Sequence, residues 1–277
     1  MFSVLLRLSA LLMLVALGQQ TMAEDDPLLA MLDESPRHHE WVWIDADGRQ
    51  IQAFIAYPES EQQRPAVLLI HENRGLTDWV RVYADELAAE GYVAIAPDLL
   101  SSFDSEHRNT GDFASGDAAR AAIYELPPGQ VMDDLARVQD YVSGLPASNS
   151  EVFVAGFCWG GSQTFRYATR PQTDIEAALV FYGSPPSDTA DLATINAPVY
   201  GFYGADDQRI NATIEATRDA MLAAGKIYEP MIYPEVGHAF MRRATMPDAD
   251  TPFRNAKEAA KKRMLAILDN PEKPRSP

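Results

Sequence analysis

Two hydrophobic periods alternate along this chain, and their alternation is the first thing it reveals. Trp41-Val42-Trp43-Ile44 and the run from Gln50 to Tyr57 are short strand patterns around Asp45-Ala46-Asp47-Gly48, a turn composition that predicts a hairpin. Pro65 then opens Ala66-Val67-Leu68-Leu69-Ile70, a continuous apolar run of the kind a central parallel strand requires. From there strands and helices take turns. Residues 78–90 predict an amphipathic helix and 92–96 a strand. Residues 127–145 contain a helix with Val131, Leu135, Val138 and Val142 on one face. Strands are expected at 152–155, 177–182, 199–203 and 228–233, with helices over 210–224 and 254–268. This order implies an α/β fold, a mostly parallel central sheet with helices on both faces, in one domain over residues 40–269. Residues 101–121 are the least regular internal segment and a candidate for shaping a pocket.

The ends read differently. Arg7 is the only charge before Glu24, residues 8–17 are almost wholly apolar, and Thr21-Met22-Ala23 places small residues where a signal peptidase cuts. Residues 1–23 are therefore expected to be a secretory signal, with the mature protein periplasmic or extracellular. The apolar core is short for an uncleaved membrane anchor. Residues 24–39 are acidic, then rich in Pro and His, and read as a mobile lead-in. Residues 270–277 read as a disordered tail.

Without residues 1–23 the chain carries 22 basic and 40 acidic side chains, a net charge of −18. Such a balance disfavours nucleic acid and anionic membranes as partners, and an anionic substrate would need local cations to be held. The sequence calls for no cofactor and no metal. The expected partner is a small molecule.

The single cysteine, Cys158, stands in Gly156-Phe157-Cys158-Trp159-Gly160-Gly161, between a strand pattern and the start of a helix. A strand that turns abruptly into a helix through Gly-x-Cys-x-Gly is the nucleophile elbow of the α/β-hydrolase fold, with sulfur in place of a hydroxyl. Buried structural thiols do not need glycine on both sides. One cysteine cannot form an internal disulfide, and an exported thiol is exposed to oxidation, a liability that a task for the thiol explains.

A thiol nucleophile needs a base, and the base an orienting acid. In this fold they follow in the order nucleophile, acid, histidine. Gly204-Ala205-Asp206-Asp207 follows one strand and Gly237-His238-Ala239-Phe240 the last, so His238 is the expected base and Asp207 the acid, with Asp206 as the alternative. His38, His39 and His107 fall at no strand end and are expected to face solvent. His71-Glu72-Asn73-Arg74-Gly75 follows the strand that ends at Ile70. That loop supplies one oxyanion-hole N–H, assigned to Asn73, and the residue after the nucleophile, Trp159, supplies the other. Glu72 either holds the thiol protonated until substrate arrives or is a loop glutamate salt-bridged to a neighbour such as Arg74.

The cysteine elbow, the glutamate directly after the third strand, Gly-x-x-Asp and Gly-His-x-Phe-x-Arg together resemble the dienelactone hydrolase (carboxymethylenebutenolidase) family over residues 40–268. The resemblance implies that Cys158, Asp207 and His238 form the triad, that Glu72 controls the thiol, and that Arg242 pairs with a substrate carboxylate. Where the family often has an arginine shortly after Pro-Asp-Leu, this chain reads Leu100-Ser101-Ser102-Phe103, which leaves Arg108 as the candidate replacement. A thiolate, with a pKa near 8.5, leaves a tetrahedral intermediate more readily than an alkoxide, so the substrate should be an ester with a stabilised leaving group, such as an enol lactone or aryl ester. The alternatives are a general carboxylesterase, a non-catalytic binding protein on the same fold, and a redox-responsive thiol protein.

Overall fold

A computed structural model describes residues 26–271 apart from residue 172. The expected signal, residues 1–23, and the tail beyond residue 271 lie outside the described residues. The strands are β1 (His39–Ala46), β2 (Arg49–Ala56), β3 (Arg64–Ile70), β4 (Val93–Pro97), β5 (Ser148–Phe157), β6 (Ala178–Phe181), β7 (Val199–Gly204) and β8 (Tyr228–Tyr233). They form one sheet in the order β1-β2-β4-β3-β5-β6-β7-β8. β1, β2 and β4 pair antiparallel, and every pairing from β4 to β8 is parallel. The α/β architecture is as the alternating pattern predicts. The hairpin turns through Asp47 (φ 53°) and Gly48 (φ 91°), whose two positive φ values suit the twist of the flanking strands.

The period of two explains how the sheet is covered. In β3, Val67 and Leu69 point into one core and Ala66, Leu68 and Ile70 into the other. The first core is closed by α2 (Asp78–Ala89) and α9 (Thr251–Leu268), through Trp79, Tyr83, Leu87, Met264 and Ile267. The second is closed by α4 (Pro128–Ser143), α5 (Trp159–Ala168) and α7 (Ile214–Ala223), through Val131, Leu135, Phe165 and Met221. After β3 the chain leaves over the first face through α2 and joins β4 on one side. After β5 it leaves over the second face through α5 and joins β6 on the other. The strand order therefore reverses between β3 and β5, and a crevice opens at their carboxyl ends, where open α/β sheets place their ligands.

The lead-in differs from its expectation. Residues 27–33 form a short helix, α1 (Pro27–Asp33), capped by the Asp26 carboxylate on the Leu28 N–H and buried through Leu32. Its anchor lies on α2, where Asp85 (side chain 9% exposed) accepts from Ser35 Oγ at 2.6 Å, Arg37 Nε at 2.7 Å and His39 Nε2 at 2.8 Å. His39 is thus tied down, and His107 is half-buried between Asp104 and the Phe113 ring; of the three histidines only His38 stays exposed. Burial would raise the Asp85 pKa, but the hydrogen bonds from Arg37, Ser35 and His39 outweigh it and hold the carboxyl below its ordinary value. A depressed folded-state pKa contributes stability above the unfolded carboxylate value, about 3.9, which is lost as pH falls through the folded one. Asp85→Asn should therefore cost about 2 kcal/mol at pH 7 and progressively less as pH falls below about 3.9 toward the folded-state value, measured by urea unfolding.

Candidate active site

Cys158, Glu72, Asn73, Asp207 and His238 each stand in a loop that follows the carboxyl end of a strand. Cys158 follows β5 with φ 56° and ψ −113°, a backbone conformation that is strained for any residue with a side chain. The strain is held by packing on both sides. A Cβ on Gly160 would lie 2.3 Å from the Ile70 carbonyl oxygen and 2.4 Å from that of His71, and one on Gly156 would lie 2.3 Å from the Gly160 oxygen. The elbow can nest against the loop after β3 because these two positions lack side chains. The Cys158 N–H donates to the Phe181 carbonyl at 3.0 Å, which ties the apex to β6.

Burial pushes the Cys158 thiol above its ordinary pKa, and the Glu72 carboxylate pushes it further. Hydrogen bonding from the Trp159 and Asn73 backbone N–H groups, and the Arg209 charge, pull it down. These are the two donors expected of an oxyanion hole.

His238 Nδ1 bonds Asp207 Oδ2 at 2.5 Å. Asp207 is buried and Asp206 exposed, which separates two carboxylates that composition could not. Asp207 also accepts from the Ile210 N–H at the start of α6 (Gln208–Asn211), so the helix fixes the carboxylate that fixes the ring. Tyr182, which sequence reasoning passed over, meets His238 edge-on with centroids 5.0 Å apart. It is wholly buried, with φ 42° and a hydroxyl lacking a hydrogen-bond partner. Its position directly after a core strand and before Gly183 was the available signal.

Glu72 is buried, and its partner is Arg242 on α8 (Phe240–Thr245), with Nε–Oε2 at 2.7 Å. Arg74 is not that partner: it pairs with Asp117 at 3.0 Å. Burial raises the Glu72 pKa, and Arg242 opposes the shift. Glu72 Oε1 is buried and unpartnered. Glu72→Gln removes the like charge beside the sulfur, so the thiol pKa should fall. Alkylation of Cys158 by iodoacetamide at pH 7 should then run about 3–10 times faster than in the parent, an effect readable by mass spectrometry.

A cavity of 480 Å³ opens beside this pair. Leu28, Trp79 and Met246 form its apolar wall, and Arg74, Arg120 and Arg242 line it with positive charge. Arg108 is not among the lining residues. Its guanidinium lies 5.4 Å above the Trp43 ring on β1, and the arginine this segment sends to the cavity is Arg120, on α3 (Gly116–Glu125). Among the described residues no group of three or more His, Cys, Asp or Glu side chains could hold a metal ion, and no helix is long and apolar enough to cross a membrane.

Residues 51–270 match the model of the dienelactone hydrolase family. A Salmonella typhimurium protein named "Putative carboxymethylenebutenolidase" is 34% identical over 210 residues, covering 71% of this chain and 76% of its own. One of the same name from Escherichia coli K12 is 33% identical over 210 residues, covering 71% and 75%. The crystal structure of a "Putative Dienelactone Hydrolase" from Klebsiella pneumoniae superposes with a TM-score of 0.73 at 28% identity, over 84% of this chain and 99% of that one. With a family match over residues 51–270, a relative 34% identical and a shared fold, this chain belongs to the dienelactone hydrolase family and is a hydrolase.

Proposed function

We propose that the protein hydrolyses activated esters or lactones that carry a carboxylate, through a thioester on Cys158. The observation that carries this reading is the setting of the sulfur: Cys158 stands on a strained apex between the loop that carries Asn73 and the helix that starts at Trp159, with the Glu72 carboxylate, paired to Arg242, acting on the thiol. At rest the carboxylate of Glu72 disfavours thiolate. A substrate carboxylate that pairs with Arg242 competes with Glu72 for the guanidinium, and neighbouring Arg74 and Arg120 favour an anion in a chain that is otherwise strongly acidic.

In this mechanism His238, oriented by Asp207, takes the thiol proton as sulfur adds to the carbonyl carbon. The oxyanion is held by the N–H groups of Asn73 and Trp159. Collapse breaks the bond to the leaving oxygen, which receives the proton from His238. His238 then deprotonates a water that adds to the thioester, and Cys158 departs with the returned proton, leaving a free acid. A low-pKa leaving oxygen is required, because a simple alkoxide would be retained while sulfur was expelled.

Arg242→Ala separates recognition from chemistry. It should raise KM for an acidic enol lactone by about 30-fold or more, the range of a lost desolvated ion pair, while a neutral aryl ester changes by less than about threefold. Equal losses on both substrates would leave a general carboxylesterase, the second reading, which the exposure of half the Arg242 side chain favours.

A further inference from the structure

We infer that His71 is a positioning residue that aims the Asn73 oxyanion-binding N–H, a role that rests on the thioester reading above. The side chain is fully buried in the loop after β3. Its Nε2 lies 3.2 Å from the Leu99 backbone nitrogen, and its Nδ1 lies 2.8 Å from the Glu72 carbonyl oxygen. These two partners dictate the tautomer. The Leu99 N–H can only donate, so Nε2 must carry a lone pair, and the proton sits on Nδ1 and is donated to Glu72. A protonated ring could not accept from Leu99, and burial, which lowers the His71 pKa, keeps the ring neutral.

The bond to Glu72 acts on more than Glu72. Its carbonyl and the Asn73 N–H belong to one planar trans peptide and point in opposite directions, so holding the oxygen toward His71 directs the Asn73 N–H toward the sulfur. The same ring stacks on Trp159, with centroids 5.6 Å apart and planes 14° from parallel, and Trp159 supplies the other donor. One rigid side chain thus touches the two residues expected to supply the oxyanion donors. The loop has an independent brace: Thr110 Oγ1 accepts from the Leu76 N–H at 3.0 Å and donates to Asp98 at 2.8 Å. Loss of His71 therefore leaves the loop attached and frees mainly the peptide between Glu72 and Asn73.

Two variants of the full protein test this with a neutral aryl ester. His71→Phe keeps a flat ring against Trp159 and removes both hydrogen bonds. Its kcat should fall about 10–100-fold, with KM within about threefold, because the donors act on the transition state. His71→Asn places an amide N–H near the former Nδ1, so it keeps the bond to Glu72 and loses the one to Leu99. Its kcat should stay within about fivefold of the parent even where Tm drops as far as in the Phe variant. An Asn variant as slow as Phe, or a folded Phe variant with kcat within threefold, would overturn the inference. If His71→Phe does not fold, a tenfold kcat loss in His71→Asn overturns it alone. Failure of the thioester reading has a different mark, since hydrolysis would then survive Cys158→Ala whatever the His71 variants do.

Discussion

Cys158→Ala should lower turnover of an aryl ester by at least about 10⁴-fold while Tm moves by only a few degrees. The large kinetic loss follows from removing the atom that forms the covalent bond, since the remaining oxyanion donors cannot attack a carbonyl. The small thermal change follows from the elbow's construction. Its strained φ is enforced by close packing of Gly156 and Gly160 against neighbouring backbone and by the Cys158 N–H bond to Phe181, none of which involves sulfur. An alanine in that backbone loses one partly buried sulfur atom and keeps the rest.

Asp207→Asn should cost on the order of 10³–10⁴-fold in kcat, whereas Asp206→Asn should stay within about threefold. The two carboxylates are adjacent in sequence and opposite in environment. Asp207 is buried and bonds His238 Nδ1, and Asp206 is exposed. An amide at position 207 can donate to Nδ1, which stabilises the tautomer whose proton sits on Nε2 and so removes that nitrogen's capacity to act as a base. It also withdraws the negative charge that stabilises the imidazolium. Comparable losses from the two substitutions would mean that the hydrogen bond to His238 does not set its function.

What could be read from the sequence was whatever local pattern determines. The core strands announce themselves by apolar runs, and the elbow by glycines that only a close backbone approach explains. The order of Cys158, Asp207 and His238 follows from the chain's passage along the sheet. What escaped depends on contacts distant in sequence. Seven residues of α1 have too few turns to be stable alone, and they are held by Leu32 in the core and by Asp85, 50 residues from Ser35. Arg74 looked like the partner of Glu72 because it is two residues away. The pair actually formed spans 170 residues, because α8 returns over the crevice. Arg108 and Arg120 both lie in the same irregular segment, and nothing local says which one faces the cavity; the direction of α3 decides it. His71 read as an unremarkable loop residue because its role depends on Leu99 and Trp159, which the fold brings to its two sides.

The central claim is a covalent thioester on Cys158, and the most direct measurement is the mass of the protein caught during turnover. Rapid acid quench after mixing with an excess of an aryl acetate should give a chain heavier by one acetyl group. Peptide mapping should place that group on the fragment containing Cys158, and release of the aryl alcohol should begin with a burst of about one equivalent per chain. Prior alkylation of Cys158 should abolish both the burst and the adduct. Full turnover by the alkylated protein, or an acetyl group carried by another residue in step with the burst, would contradict the account.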